Sequence, residues 1–130
     1  MKIVITHATT FPFEQELYAP LMAADFFSEH EFLLPQRTGL AQQITEDMIR
    51  TADVVICEVS LPSTGQGIEI GWATAHKTPC VCIHKKDAHI SGALQYVCDV
   101  IIPYRDTQDM VEQVRRVCGA STKHQTPNNK

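Results

Sequence analysis

The chain has 130 residues, with 11 Lys and Arg against 15 Asp and Glu, a formal net charge of −4, 44% hydrophobic and 20% charged residues. A single domain of that length buries roughly two-thirds of the surface its unfolded chain exposes. The acidic balance argues against a general nucleic-acid surface, and apolar runs no longer than a strand argue against a membrane span. Met1-Lys2 leads straight into Ile3-Val4-Ile5, so no signal peptide is expected.

Short apolar runs alternate with segments of helical period. Residues 3–6 read as the first strand. A helix is expected over 13–28, where Leu17, Leu21, Ala24 and Phe27 recur at threes and fours, with Pro20 kinking or splitting it. A short second strand over 31–34 stops at Pro35, and 36–43 form a loop around Gly39, flexible and polar enough to border a site. Thr45 is the expected cap of a helix over 46–51 that turns Met48 and Ile49 inward. The run over 54–59 is almost uniformly apolar, as in a central parallel strand buried on both faces. A helix follows to about His76, then a strand over 81–84, a short helix over 90–97, a strand over 100–102 and a closing helix over 108–118. Met110, Val111, Val114 and Val117 form the inward face of that last helix. The domain is expected to span 1–119, with 120–130 a flexible polar tail.

Strands alternating with helices imply a parallel sheet covered on both faces. The expected architecture is α/β, a flavodoxin/Rossmann-like three-layer sandwich with a five-stranded parallel sheet in the order 2-1-3-4-5. Ligands in such sheets sit outside the carboxyl ends of the strands, at the switch point between the first and third.

The segment from Ala52 to Ala73 carries most of the chemistry. Ser63-Thr64-Gly65-Gln66-Gly67 follows the third strand and opens a helix. Free backbone N–H groups and the helix dipole favour an anion there. The plainer alternative is a connector in which Pro62 stops the strand and Thr64 caps the helix. Neither Walker nor Rossmann spacing is present. Glu69 sets a carboxylate beside this cradle, flanked by Ile68, Ile70, Gly71 and Trp72. Glu58, near the end of the third strand, is either a partnered structural acid or a ligand contact. His7 follows the first strand and faces the same crevice by topology, and His84 ends the fourth strand. Ser91 reads as an N-cap that can also meet phosphate. The five cysteines, Cys57, Cys80, Cys82, Cys98 and Cys118, are odd in number and mostly in apolar stretches. They read as reduced core thiols of a cytoplasmic protein. Cys80 and Cys82 share one strand face, but without a second close pair they favour packing over zinc.

Residues 53–73 resemble the signature of the nucleoside 2-deoxyribosyltransferase-like superfamily. The resemblance is closer to its 2′-deoxynucleoside 5′-phosphate N-hydrolase branch than to the transferases proper. The matching elements are Ala52-Asp53, the strand Val54 to Cys57, Glu58-Val59-Ser60, Pro62-Ser63, Gly65-Gln66-Gly67 and Glu69-Ile70-Gly71-Trp72-Ala73. The resemblance implies that Glu69 is the nucleophile on the sugar anomeric carbon and that Ser63 holds a 5′-phosphate. It also implies a homodimer in which Ser91 reaches the phosphate of the neighbouring subunit. Thr6-His7-Ala8-Thr9-Thr10-Phe11 stands where the family has a Gly-rich turn, Ile5 where it often has Tyr, and Thr45 where it has a second acid. Asp47 or Glu46 is therefore assigned as the general acid, with Gly65, Gln66, Gly67, His7 and Glu58 as further substrate contacts.

The expected activity is cleavage of the N-glycosidic bond of a nucleoside 5′-monophosphate, with free base released and no metal or organic cofactor. Alternatives are a deoxyribosyltransferase that passes the sugar to another base, and a nucleotide-binding sensor without chemistry.

Overall fold

The structure is a computed structural model that describes residues 1–37 and 43–124, with side chains described up to Gly119. The centre of the expected loop over 36–43 and the end of the expected tail, 125–130, lie outside the described residues. Five parallel strands form one sheet in the order β2-β1-β3-β4-β5. They are β1 (Lys2–His7), β2 (Glu31–Leu33), β3 (Val54–Glu58), β4 (Cys80–Lys85) and β5 (Val100–Tyr104). The α-helices are α1 (Ala19–Met22), α2 (Glu46–Thr51), α3 (Thr64–Ala75) and α4 (Thr107–His124). The expected α/β sandwich and strand order are what the chain adopts.

Alternation along the strands builds two cores. Ile3 and Ile5 of β1, with Ile56 of β3, face Leu17, Leu21, Met110 and Val114. Val4, Val55 and Cys57 face the opposite way, against Ile49 of α2 and Ile70 and Ala73 of α3. Successive strand side chains point to opposite faces, so a strand covered on both sides must be apolar at every position. Among the described residues, no helix is long and apolar enough to cross a membrane.

Four expectations are corrected. The helix over 13–28 is three short pieces: a π-turn at Glu14–Tyr18, α1, and a 3₁₀ turn at Phe27–Glu29. Pro20 has no N–H to donate, and its ring crowds the carbonyl four residues back, so the preceding turn widens. The Ala19 amide accordingly reaches the Glu14 carbonyl, five residues back. The helix over 90–97 is a 3₁₀ turn, Gly92–Tyr96. The closing helix continues past Cys118 to His124, into the segment assigned to the tail. The cysteines are not all reduced: Cys82 is bonded to Cys98, because the chain entering β5 lies across the face of β4 that carries Cys80 and Cys82. Strand ends also move, β3 stopping at Glu58 and β5 running on to Tyr104. Pro103 is tolerated within β5 because that strand is an edge of the sheet.

Candidate active site

A cavity of about 350 Å³ opens at the carboxyl ends of β1 and β3. This is the switch point, where the chain connections from neighbouring strands diverge to opposite faces and leave a crevice. Ile5, Thr6 and His7 come from β1, Pro35 and Gln36 follow β2, and Gln43 and Ile44 precede α2. Ser63, Gly65, Gln66 and Glu69 come from the start of α3.

Ser63, not Thr64, caps α3: its Oγ accepts the Gln66 amide at 3.2 Å. An accepting hydroxyl still has its own proton to give, so Ser63 can donate to an anion. Gly65 and Gly67 lie inside the first turns of the helix rather than in a loop before it. The Gly67 amide already donates to the Ser63 carbonyl at 3.0 Å, which removes it from the expected cradle. The Thr64 and Gly65 amides remain the donors at this end, without a partner among the described residues. A Cβ at Gly65 would meet nothing within 4 Å, so the space over the first turn is open to a ligand.

Glu69 stands one helical turn on, at i+4 from Gly65 and i+3 from Gln66, which puts all three on one face. Its carboxylate is half-buried, and burial pushes its pKa up from 4.5 to about 7. Desolvation disfavours the charged form, so a ligand that places positive charge beside it regains that lost free energy. Trp72 instead packs against the α2–α3 core and does not line the cavity.

His7 lines the cavity, but both ring nitrogens are engaged. Nδ1 donates to the Ala8 carbonyl at 2.9 Å, and Nε2 accepts from the Tyr18 hydroxyl at 2.7 Å. Tyr18 in turn accepts the Gln36 amide at 3.1 Å. Burial lowers the His7 pKa, which fits a neutral ring stacked on Phe13 at 4.5 Å. His7 is thus a wall of the cavity with no nitrogen turned to a ligand.

Gln66 is a clamp. Its Nε2 donates to Thr6 Oγ1 at 2.9 Å and to the Glu58 carbonyl at 3.0 Å, tying α3 to the tips of β1 and β3. Glu58 is 1% exposed and accepts from the Ser60 amide, the Ser60 hydroxyl and the Tyr104 hydroxyl. Ser60 also accepts the Lys85 amide, so one carboxylate joins the ends of β3, β4 and β5. It is the partnered structural acid of the two readings. His84 is also buried, with Nδ1 donating to the Lys85 carbonyl at 2.7 Å.

The two acids assigned to proton transfer lie elsewhere. Glu46 pairs with His76 at 2.8 Å, and Asp47 pairs with Arg50, whose charge and hydrogen bond lower the Asp47 pKa. Thr45 fixes the start of α2 by accepting the Met48 amide. With Ile49 turned to the core, both carboxylates are exposed, and neither lines the cavity. Ser91 caps the 3₁₀ turn and lines a neighbouring groove with Ile70, Ile90 and Leu94. Ser63 and Gln66 are the wall shared by that groove and the cavity. The loop over 36–43 borders the cavity as expected, through Gln36 and Gln43, whereas the sequence reading missed Thr6 and Ile44. The switch-point rule, applied to the last residues of the first strand, would have found Thr6. The cavity offers a single carboxylate among the described residues, too few hard ligands for a metal ion.

No family model matches this chain. A protein of Methanosarcina mazei provisionally named 2′-deoxynucleoside 5′-phosphate N-hydrolase 1 is 34% identical over 62 residues, covering 48% of this chain and 38% of that protein. The 5-hydroxymethyl-dUMP N-hydrolase of Branchiostoma floridae is 44% identical over 45 residues, 33% of this chain and 43% of that protein. The chain thus spans less than half the length of the curated relatives it matches. The solved structure of the Clostridium botulinum CMP N-glycosidase BcmB superimposes with a TM-score of 0.60 at 23% identity, over 88% of this chain and 99% of that one. At that identity the likeness establishes a shared fold. This chain resembles nucleotide N-hydrolases of the nucleoside deoxyribosyltransferase-like superfamily in sequence over part of its length, and a nucleotide N-glycosidase in fold.

Proposed function

We propose that this protein cleaves the N-glycosidic bond of a nucleoside 5′-monophosphate, with Glu69 as nucleophile. The observation that carries the reading is the placement of a half-buried carboxylate and a phosphate-competent helix start on the same wall of one cavity. Ser63 and the Thr64 and Gly65 amides hold the phosphate, and the sugar carbon then falls toward Glu69. Bond breaking builds oxocarbenium-like positive charge on the sugar, which the desolvated carboxylate stabilises and then captures as a glycosyl-enzyme. Water hydrolyses that intermediate, giving free base and a sugar phosphate. Phosphate binding supplies remote binding energy that positions the reacting carbon.

Glu46 and Asp47 lie outside the cavity, and residues 38–42 carry no titratable side chain. We therefore assign the proton taken up by the departing base to water. In the same reading a second copy of the chain covers the groove beside Ser63 and brings its own Ser91 to the phosphate. Sedimentation of the protein tests that assembly.

The missing second acid also favours one rival, a nucleotide-binding module without chemistry. Incubation with a panel of nucleoside 5′-monophosphates, followed by chromatography of the products, separates the two. Free base appears if the proposal holds, and bound, intact nucleotide if the rival does. Adding a second base as acceptor distinguishes hydrolysis from sugar transfer.

A further inference from the structure

We propose that Cys57, Cys80, Cys82 and Cys98, once reduced, form a tetrathiolate site for a soft divalent cation of the zinc class. Four of the five cysteines converge under α3, from β3, from β4 and from the segment leading into β5. The sulfurs of Cys57, Cys80 and Cys82 all lie within 4.8 Å of one another and all three residues are buried. Cys57 and Cys80 are 3.6 Å apart, and Cys80 lies 3.9 Å from Cys98. A tetrahedral zinc with thiolates at 2.3 Å sets its sulfurs about 3.8 Å apart. The Cys82–Cys98 pair is the one contact that must open, because these two sulfurs are joined.

Sequence spacing hid this second pair. Cys80 and Cys82 are adjacent on one strand face, but Cys57 reaches them only through sheet register, where it is the Cα partner of Cys82. Cys98 reaches them because it leads into β5, which pairs with β4. Closed sites built from ligands on separate segments are structural rather than catalytic. Here the ion would join one wall of the proposed substrate site to the segment that carries Ser91. Thr6 is the Cα partner of Cys57 between β1 and β3, and its hydroxyl accepts from Gln66 in the cavity wall. Cys98 anchors the segment that carries Ser91.

Loading begins with a dithiol reductant. It delivers two electrons and two protons to the Cys82–Cys98 bond, leaving two thiols and its own cyclic disulfide. One divalent cation then displaces the four thiol protons and is held by four thiolates.

The test is metal content, read without any substrate and so independent of the proposed reaction. The protein is purified in dithiothreitol and analysed by elemental mass spectrometry. Its acid-stripped, reduced form is then titrated with Co²⁺. The proposal predicts stoichiometric zinc and the intense visible bands of tetrahedral thiolate-bound cobalt. Cys98→Ser, at the partly exposed edge of the cluster, should weaken zinc binding at least about tenfold. Cys118→Ser, in the core on the opposite sheet face, should bind as the unmodified chain does. Absence of both zinc and the cobalt bands from the reduced chain overturns the proposal, whether the four cysteines titrate as free thiols or the Cys82–Cys98 bond persists.

Discussion

Replacing Glu69 with Gln should stabilise the protein, and only above a particular pH. Burial raises the Glu69 carboxyl from 4.5 to about 7, so the native state holds a proton that the unfolded chain has released. The stability linked to this group is fully present below about pH 4.5 and is lost as pH rises through about 7. A shift of that size corresponds to about 3 kcal/mol at about 1.36 kcal/mol per unit. The side chain is only half-buried, and solvent screening reduces the figure to about 2 kcal/mol. For a domain of this length about 1 kcal/mol moves the melting midpoint by about 4 °C, giving a gap of about 8 °C. Thermal denaturation of both proteins at pH 5 and pH 8 reads the effect. At pH 5 only about a quarter of that gap should be present, because the unfolded carboxyl has begun to ionise, and the Gln variant should melt clearly higher at pH 8. A gap that does not change with pH, or a Gln variant that melts lower at pH 8, refutes the claim that Glu69 is held desolvated.

If Glu69 attacks as the carboxylate, kcat/KM for base release should rise with pH and level off above about 7; a profile falling through that range would mean that the protonated form acts. Ser63→Ala removes the cap of α3 and should cost about 1 kcal/mol in urea denaturation. The same change should weaken binding of a nucleoside monophosphate by about tenfold or more through a lost charge-assisted hydrogen bond, while leaving that of the matching nucleoside unchanged in calorimetry. Glu46→Gln and Asp47→Asn should leave the rate of base release as it is, since both side chains are paired at the surface. A collapse of the rate in either would return the general acid to α2.

The fold was legible because its signals are local and agree. Val54 to Cys57 is uninterrupted apolar chain, Thr45 is a capping residue, and Pro20 sits where the helix breaks. The relation of Ser63 to Glu69 was legible for the same reason, since a helix fixes six residues of spacing. What stayed hidden depends on direction or on distant partners. Each helical residue turns about 100°, so Glu46 and Asp47, adjacent to Thr45, project elsewhere once Ile49 is committed to the core. The short-range pattern gave Gln66 no reason to bridge Thr6 and Glu58, residues that only sheet register brings beside it. Cys98 lies far from Cys82 in sequence and meets it only because β5 pairs with β4.

The most direct test of the account is to follow free base and sugar phosphate from nucleoside 5′-monophosphates with the unmodified protein and with Glu69→Ala. The account predicts base release by the unmodified protein, none by the variant, and nucleotide binding retained in both. Base release that persists in Glu69→Ala, or nucleotide bound by the unmodified protein with no base released from any monophosphate, would contradict it.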